Sequence, residues 1–85
     1  MKENTNMRLD KYLKVSRIIK RRTLANEACD AGRVLVNGKV ARASHAIKAG
    51  DTIEVQFGSG SQRVRVLDVK EHAKKEETAT MYEVI

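Results

Sequence analysis

Apolar residues recur twice at helical spacing near the start of the chain and at every second position beyond it. Leu9, Tyr12, Leu13 and Ser16 follow an i, i+3, i+4, i+7 pattern. That spacing predicts a first helix over about Lys11–Ile18, with Asp10 placed to accept backbone N–H bonds in its first turn. Thr23 is placed to cap a second helix of about Leu24–Ala31, whose buried side would carry Leu24, Ala28 and Ala31. Alanines at 25, 28 and 31 keep this region slim enough for close packing. Gly32 falls where a helix commonly ends in the left-handed conformation.

From Arg33 the period changes to two. Arg33-Val34-Leu35-Val36, then Asn37-Gly38, then Lys39-Val40 predicts a hairpin, because Asn-Gly accepts the positive φ angles of a type I′ turn. Ala41–Lys48 is less regular. Ala49-Gly50-Asp51 marks a turn before a strand at Thr52–Phe57, where Ile53, Val55 and Phe57 alternate with polar residues. A flexible turn at Gly58–Ser61 leads to a strand at Arg63–Val69, with Val64 and Val66 on one face and Arg63 and Arg65 on the other. Lys74–Glu77 reads as a solvated helical turn and Met81–Ile85 as a final strand or a docking tail. Residues 1–7 are polar, without periodicity, and are expected to form a disordered lead-in. The expected architecture is α+β: two short N-terminal helices packed on a small, mostly antiparallel twisted sheet. One domain over 8–70 and a C-terminal extension over 71–85 account for the chain.

Charge changes this picture, because it is not spread evenly. Arg8–Arg22 holds seven basic residues (Arg8, Lys11, Lys14, Arg17, Lys20, Arg21 and Arg22) against one acid, Asp10. The remaining ten basic and ten acidic residues balance, so the whole formal charge of +6 sits in this stretch. Such a concentration suits a polyanion, since each phosphate neutralised releases condensed counterions. A solvated basic helix face is the plainer alternative. Interleaved apolar residues and the lack of any offsetting charge favour the polyanion. Only three aromatics are present (Tyr12, Phe57 and Tyr82), too few to read single strands by stacking bases, so phosphates and RNA shape are the expected targets.

Other chemistry is sparse. Cys29 has no partner for an internal disulfide, fits a reducing cytosol, and is expected as a small core residue. His45 and His72 lack ligand spacing, the serines lack an elbow motif, and Gly58-Ser59-Gly60 lacks the lysine and helix of a phosphate loop. No apolar run approaches a membrane span and residues 1–7 lack the core of a signal peptide. The expectation is a soluble, intracellular, non-enzymatic protein without cofactor or metal.

The joints of this pattern carry a resemblance. Arg8-Leu9-Asp10-Lys11-Tyr12-Leu13, Arg17, Arg22 with Ala25 and Ala28, Gly32-Arg33-Val34-Leu35-Val36-Asn37-Gly38, Ile47 and Gly50-Asp51-Thr52-Ile53 resemble the S-four-type, or alpha-L, RNA-binding domain. The match spans about residues 8–57. It is similar in particular to small stand-alone bacterial members that bind ribosomes. What the resemblance implies is contact with large-subunit rRNA and with peptidyl-tRNA on obstructed large subunits. It implies holding that tRNA in the P-site while an RqcH-type tailing factor adds alanine to the stalled chain. A heat-shock-type recycling role for obstructed subunits, and an accessory subunit docking a protein by its sheet edge, stay open beside it.

Carried over by position, Arg8 and Arg22 match places that face ribosomal RNA, with Arg17, Lys20 and Arg21 beside them. Lys11, Lys14, Asn37 and Lys39 are further candidates, while Asp10 is assigned to capping. The chain departs from the family in two places. Members often begin at the methionine matching Met7, and Ala49 stands where proline is common. The chain is expected to act as a cytoplasmic monomer, away from membranes.

Overall fold

The computed structural model describes residues 7–69 and 74–85. Strand β1 (Met7–Arg8) leads directly into helix α1 (Leu9–Val15), followed by helix α2 (Arg22–Asp30). Strands β2 (Val34–Val36), β3 (Lys39–Val40), β4 (Ala46–Ile47), β5 (Thr52–Phe57) and β6 (Gly60–Val66) come next. A 3₁₀ turn at Lys75–Thr80 and strand β7 (Tyr82–Val84) close the chain. Five strands form one antiparallel sheet in the order β3-β2-β5-β6-β7, and β1 pairs with β4 in a separate antiparallel pair. This is the expected α+β architecture.

The core lies between the helices and one face of the sheet. Leu9, Tyr12 and Leu13 from α1 and Ala25 and Cys29 from α2 meet Val34, Val36, Ile53, Val55, Val64, Val66 and Met81. Alternation works as expected in β6, with Val64 and Val66 buried and Arg63 and Arg65 exposed. In β5 it holds for Ile53 and Val55 but not for Phe57, which is half exposed because it pairs with Gly60 at the hairpin end. The Asn37-Gly38 turn has the anticipated geometry, with φ of 54° and 86°.

Both helices differ from expectation at their ends. α1 begins at Leu9 and stops at Val15, because Arg17 adopts a left-handed φ of 66° and reverses the chain. α2 begins two residues early, at Arg22, with no side-chain cap from Thr23. Its buried stripe is Ala25 and Cys29, with Ala28 half-buried, rather than Leu24, Ala28 and Ala31. The smaller side chains let α2 lie close against α1, and Leu24 is left 49% exposed.

Two further corrections concern the chain ends and the irregular stretch. Met7 is not lead-in: it is buried in the core and pairs with Ile47. The stretch 41–48 therefore contains a strand, β4, whose partner the two-residue β1 is too short to reveal by periodicity. Residues 1–6, expected to be disordered, and 70–73, where the expected boundary of the extension and His72 fall, lie outside the described residues. β7 joins the sheet edge beside β6, with Val66 opposite Tyr82 and Val64 opposite Val84. No helix among the described residues is long and apolar enough to cross a membrane.

Candidate nucleic-acid interface

The basic stretch folds around its one acid. Asp10 is only 2% exposed, in the first turn of α1. Its Oδ1 accepts the Lys11 backbone N–H at 2.7 Å and the Arg8 Nε–H at 3.1 Å. Its Oδ2 accepts from Arg8 Nη2 at 3.3 Å, Arg22 Nε at 3.4 Å and Asn26 Nδ2 at 3.3 Å. The capping role survives only in the bond from Lys11: Asp10 lies inside the helix, and Arg8 stands at the N-cap without a side-chain bond that caps it. Burial on its own would raise the Asp10 pKa, but the bonds from Arg8, Asn26 and Arg22 outweigh it and hold the carboxyl below its ordinary value.

This geometry brings together residues that the sequence separates. Arg8 comes from β1 and Arg22 from the first position of α2, and both side chains are about half exposed, at 50% and 47%. Asn26 was absent from the candidate residues. Its signal was the spacing of four from Arg22, which puts both on one helix face. An expected helix start at Leu24 hid it, by placing Arg22 outside the helix. Asp10, Arg22, Thr23, Asn26 and Glu27 line a shallow cavity of about 330 Å³ between the helices.

Lys14, Arg17, Lys20 and Arg21 are all exposed along the end of α1 and the turn that follows. Among the described residues none of the four is ion-paired. Lys11 is half-buried. Arg17 is held in its left-handed backbone by a bond from its own N–H to the Lys14 carbonyl, and the Ile19 N–H reaches the Leu13 carbonyl. α2 ends in a related turn, with the Gly32 N–H on Cys29 and the Arg33 N–H on Ala28 closing a loop one residue shorter, but there glycine takes the left-handed position. An arginine where glycine is the unstrained choice costs roughly 1–2 kcal/mol, and strain of this kind gathers at functional sites.

The hairpin candidates are placed differently. Asn37 accepts the Thr52 N–H at 3.0 Å and donates to Asp51 at 3.2 Å, so its amide braces the turn against β5. Lys39 is exposed beside a groove that Asn37, Val40 and His45 also line. The segment after the hairpin returns to the site, because the His45 and Ala43 carbonyls accept the Leu9 and Asp10 N–H groups. Cys29 is buried as expected. Desolvation, with the Asp10 and Asp30 charges, pushes its thiol up to about 11, which suits packing rather than reactivity.

Comparison with known proteins identifies the family. The S4 domain family matches residues 7–53. The chain is 56% identical over 79 residues to the RQC P-site tRNA stabilizing factor of Streptococcus pneumoniae, covering 93% of this chain and 90% of that one. It is 55% identical over 78 residues to the protein of the same name from Halalkalibacterium halodurans, covering 92% and 89%. Among solved structures, heat shock protein 15 of Vibrio cholerae, described as trimeric, superposes with a TM-score of 0.86 at 26% identity, over 94% of this chain and 82% of that one. With the family's domain matched over more than half of this chain and relatives of this identity matched almost end to end, the chain belongs to the S4 domain family.

Proposed function

We propose that this chain is a non-enzymatic RNA-binding factor of the large ribosomal subunit, acting in ribosome-associated quality control. The observation that carries the reading is the gathering of Arg8 and Arg22 on one buried carboxylate, in the stretch that also exposes Lys14, Arg17, Lys20 and Arg21, none of them ion-paired among the described residues. Guanidinium groups fixed in this way suit phosphate oxygens, which they can bind through two N–H donors at once. Relatives named RQC P-site tRNA stabilizing factor support placing that RNA on the ribosome. In the finer form of the proposal, the basic surface contacts large-subunit rRNA and peptidyl-tRNA. It steadies the tRNA in the P-site while an RqcH-type partner adds alanine tails to the stalled chain. The factor acts as a monomer in the cytoplasm.

Crosslinking of the tagged protein to RNA in cells, followed by sequencing of the attached fragments, tests this. Reads concentrated on large-subunit rRNA near the P-site and on tRNA, and lost in an Arg8→Ala/Arg22→Ala variant, are expected. Reads scattered over messenger RNA would overturn the ribosomal assignment. The fold shared with heat shock protein 15 favours one second reading, recycling of obstructed large subunits without tailing. Deletion that leaves alanine tails intact would select it.

A further inference from the structure

We infer that Asp10 is a positioning residue for the RNA interface: its buried carboxylate sets the two arginines Arg8 and Arg22 in one orientation, ready for phosphate. This deepens the proposed function and rests on it. The two guanidinium groups come from different elements and carry like charge, so without a shared acceptor they would swing apart into solvent. Asp10 engages Arg22 through Nε alone and Arg8 through Nε and Nη2. Neither Nη group of Arg22 nor Nη1 of Arg8 bonds to the carboxylate, so these donors are not spent on Asp10. Those are the donors that a bidentate grip on a phosphate needs.

Stability alone does not account for the arrangement. A buried carboxylate loses hydration that its partners roughly return, and apolar residues of similar volume often serve as well. Here, moreover, both partners are half exposed, where an ion pair contributes little. Orientation is the larger gain. An arginine side chain surrenders much of its rotamer freedom when it grips a ligand, and one already held gives up less. Asn26 and the Lys11 N–H complete the shell of donors around it, so the carboxylate itself is fixed in place.

The test combines binding with a spectroscopic signature. Affinity for purified large ribosomal subunits carrying P-site tRNA is measured for the unsubstituted chain, Asp10→Asn, Arg8→Ala/Arg22→Ala, and the triple variant. Asp10→Asn is expected to weaken binding about tenfold in the native background and to have no further effect once both arginines are gone. Equal losses in the two backgrounds, or none in either, would overturn the positioning role. Nitrogen-15 NMR of the unsubstituted chain gives a readout that does not depend on a variant folding. The Nε–H protons of Arg8 and Arg22 should exchange with water more slowly than that of the exposed Arg42. Exchange as fast as Arg42's would also overturn it. Failure of the unsubstituted chain to bind the subunits would instead sink the proposed function, and the inference with it.

Discussion

The Tyr12 hydroxyl donates a 2.7 Å hydrogen bond to the Met81 carbonyl, across 69 residues of sequence. Both residues are fully buried, and the same carbonyl accepts the Leu67 and Asp68 N–H groups. First helix, end of β6 and C-terminal strand therefore meet at one oxygen. Burial, with the neighbouring Tyr82 and Asp68, holds the phenol far above its ordinary pKa, so it remains a donor at any working pH.

Tyr12→Phe removes one donor of three and leaves the carbonyl satisfied. The expected cost is about 1 kcal/mol, the net value of a hydrogen bond, without the larger penalty of an orphaned acceptor. Urea unfolding should show that loss, and amide exchange should rise most at Tyr82–Val84. Ribosome binding should stay unchanged, since the bond lies away from the arginines. A matching fall in affinity would bring the tail into the interface.

Leu13 and Leu24 separate packing from exposure. Leu13 is fully buried, so Leu13→Ala should cost about 2–5 kcal/mol. Leu24 is half exposed on α2, and Leu24→Ala should stay within about 0.5 kcal/mol. Thermal melts of the two variants check the pair. Similar losses would mean that α2 is rotated from the orientation described.

Much of this fold is legible in the pattern of residues, because the strongest signals are local. The Asn37-Gly38 turn, the alternation of Val64 and Val66 with arginines, and Gly32 after α2 each depend on only a few neighbouring residues. The basic stretch was equally visible as a place. What stayed hidden depends on tertiary contact. Met7 looks like a polar leader's last residue until Ile47 pairs with it. Asp10 reads as a cap until Arg22 and Asn26 arrive from another helix. Leu24 looks like core until the smaller Ala25 and Cys29 prove the better face for close approach to α1.

Acid should act through Asp10. Its folded pKa lies below the ordinary 3.8, so the stability it contributes is complete above that pH and is lost as pH falls through the folded value. The gap in stability between the unsubstituted chain and Asp10→Asn should therefore be widest near neutrality and narrow as pH falls below the ordinary 3.8. Urea midpoints at several pH values measure it. A gap that stays constant down to strong acid would show that the carboxylate's charge contributes nothing to the fold.

Arg17 offers the sharpest separation of stability from function. Its φ of 66° is one that glycine adopts without strain, as Gly32 does after α2. Arg17→Gly should therefore stabilise the chain by about 0.5–1 kcal/mol, the lower end because glycine also loosens the unfolded state. For a domain of this size that corresponds to a rise in Tm of roughly 2–8 °C. The same variant gives up an exposed cation among Lys14, Lys20 and Arg21. Binding to large subunits should weaken, and the slope of log affinity against log salt should fall by about 0.7–0.9 if one phosphate contact is lost. A more stable protein that binds less well is the result expected of a side chain kept for its contact rather than its conformation. Gain in both properties would remove Arg17 from the interface and leave its strained backbone without a functional reason.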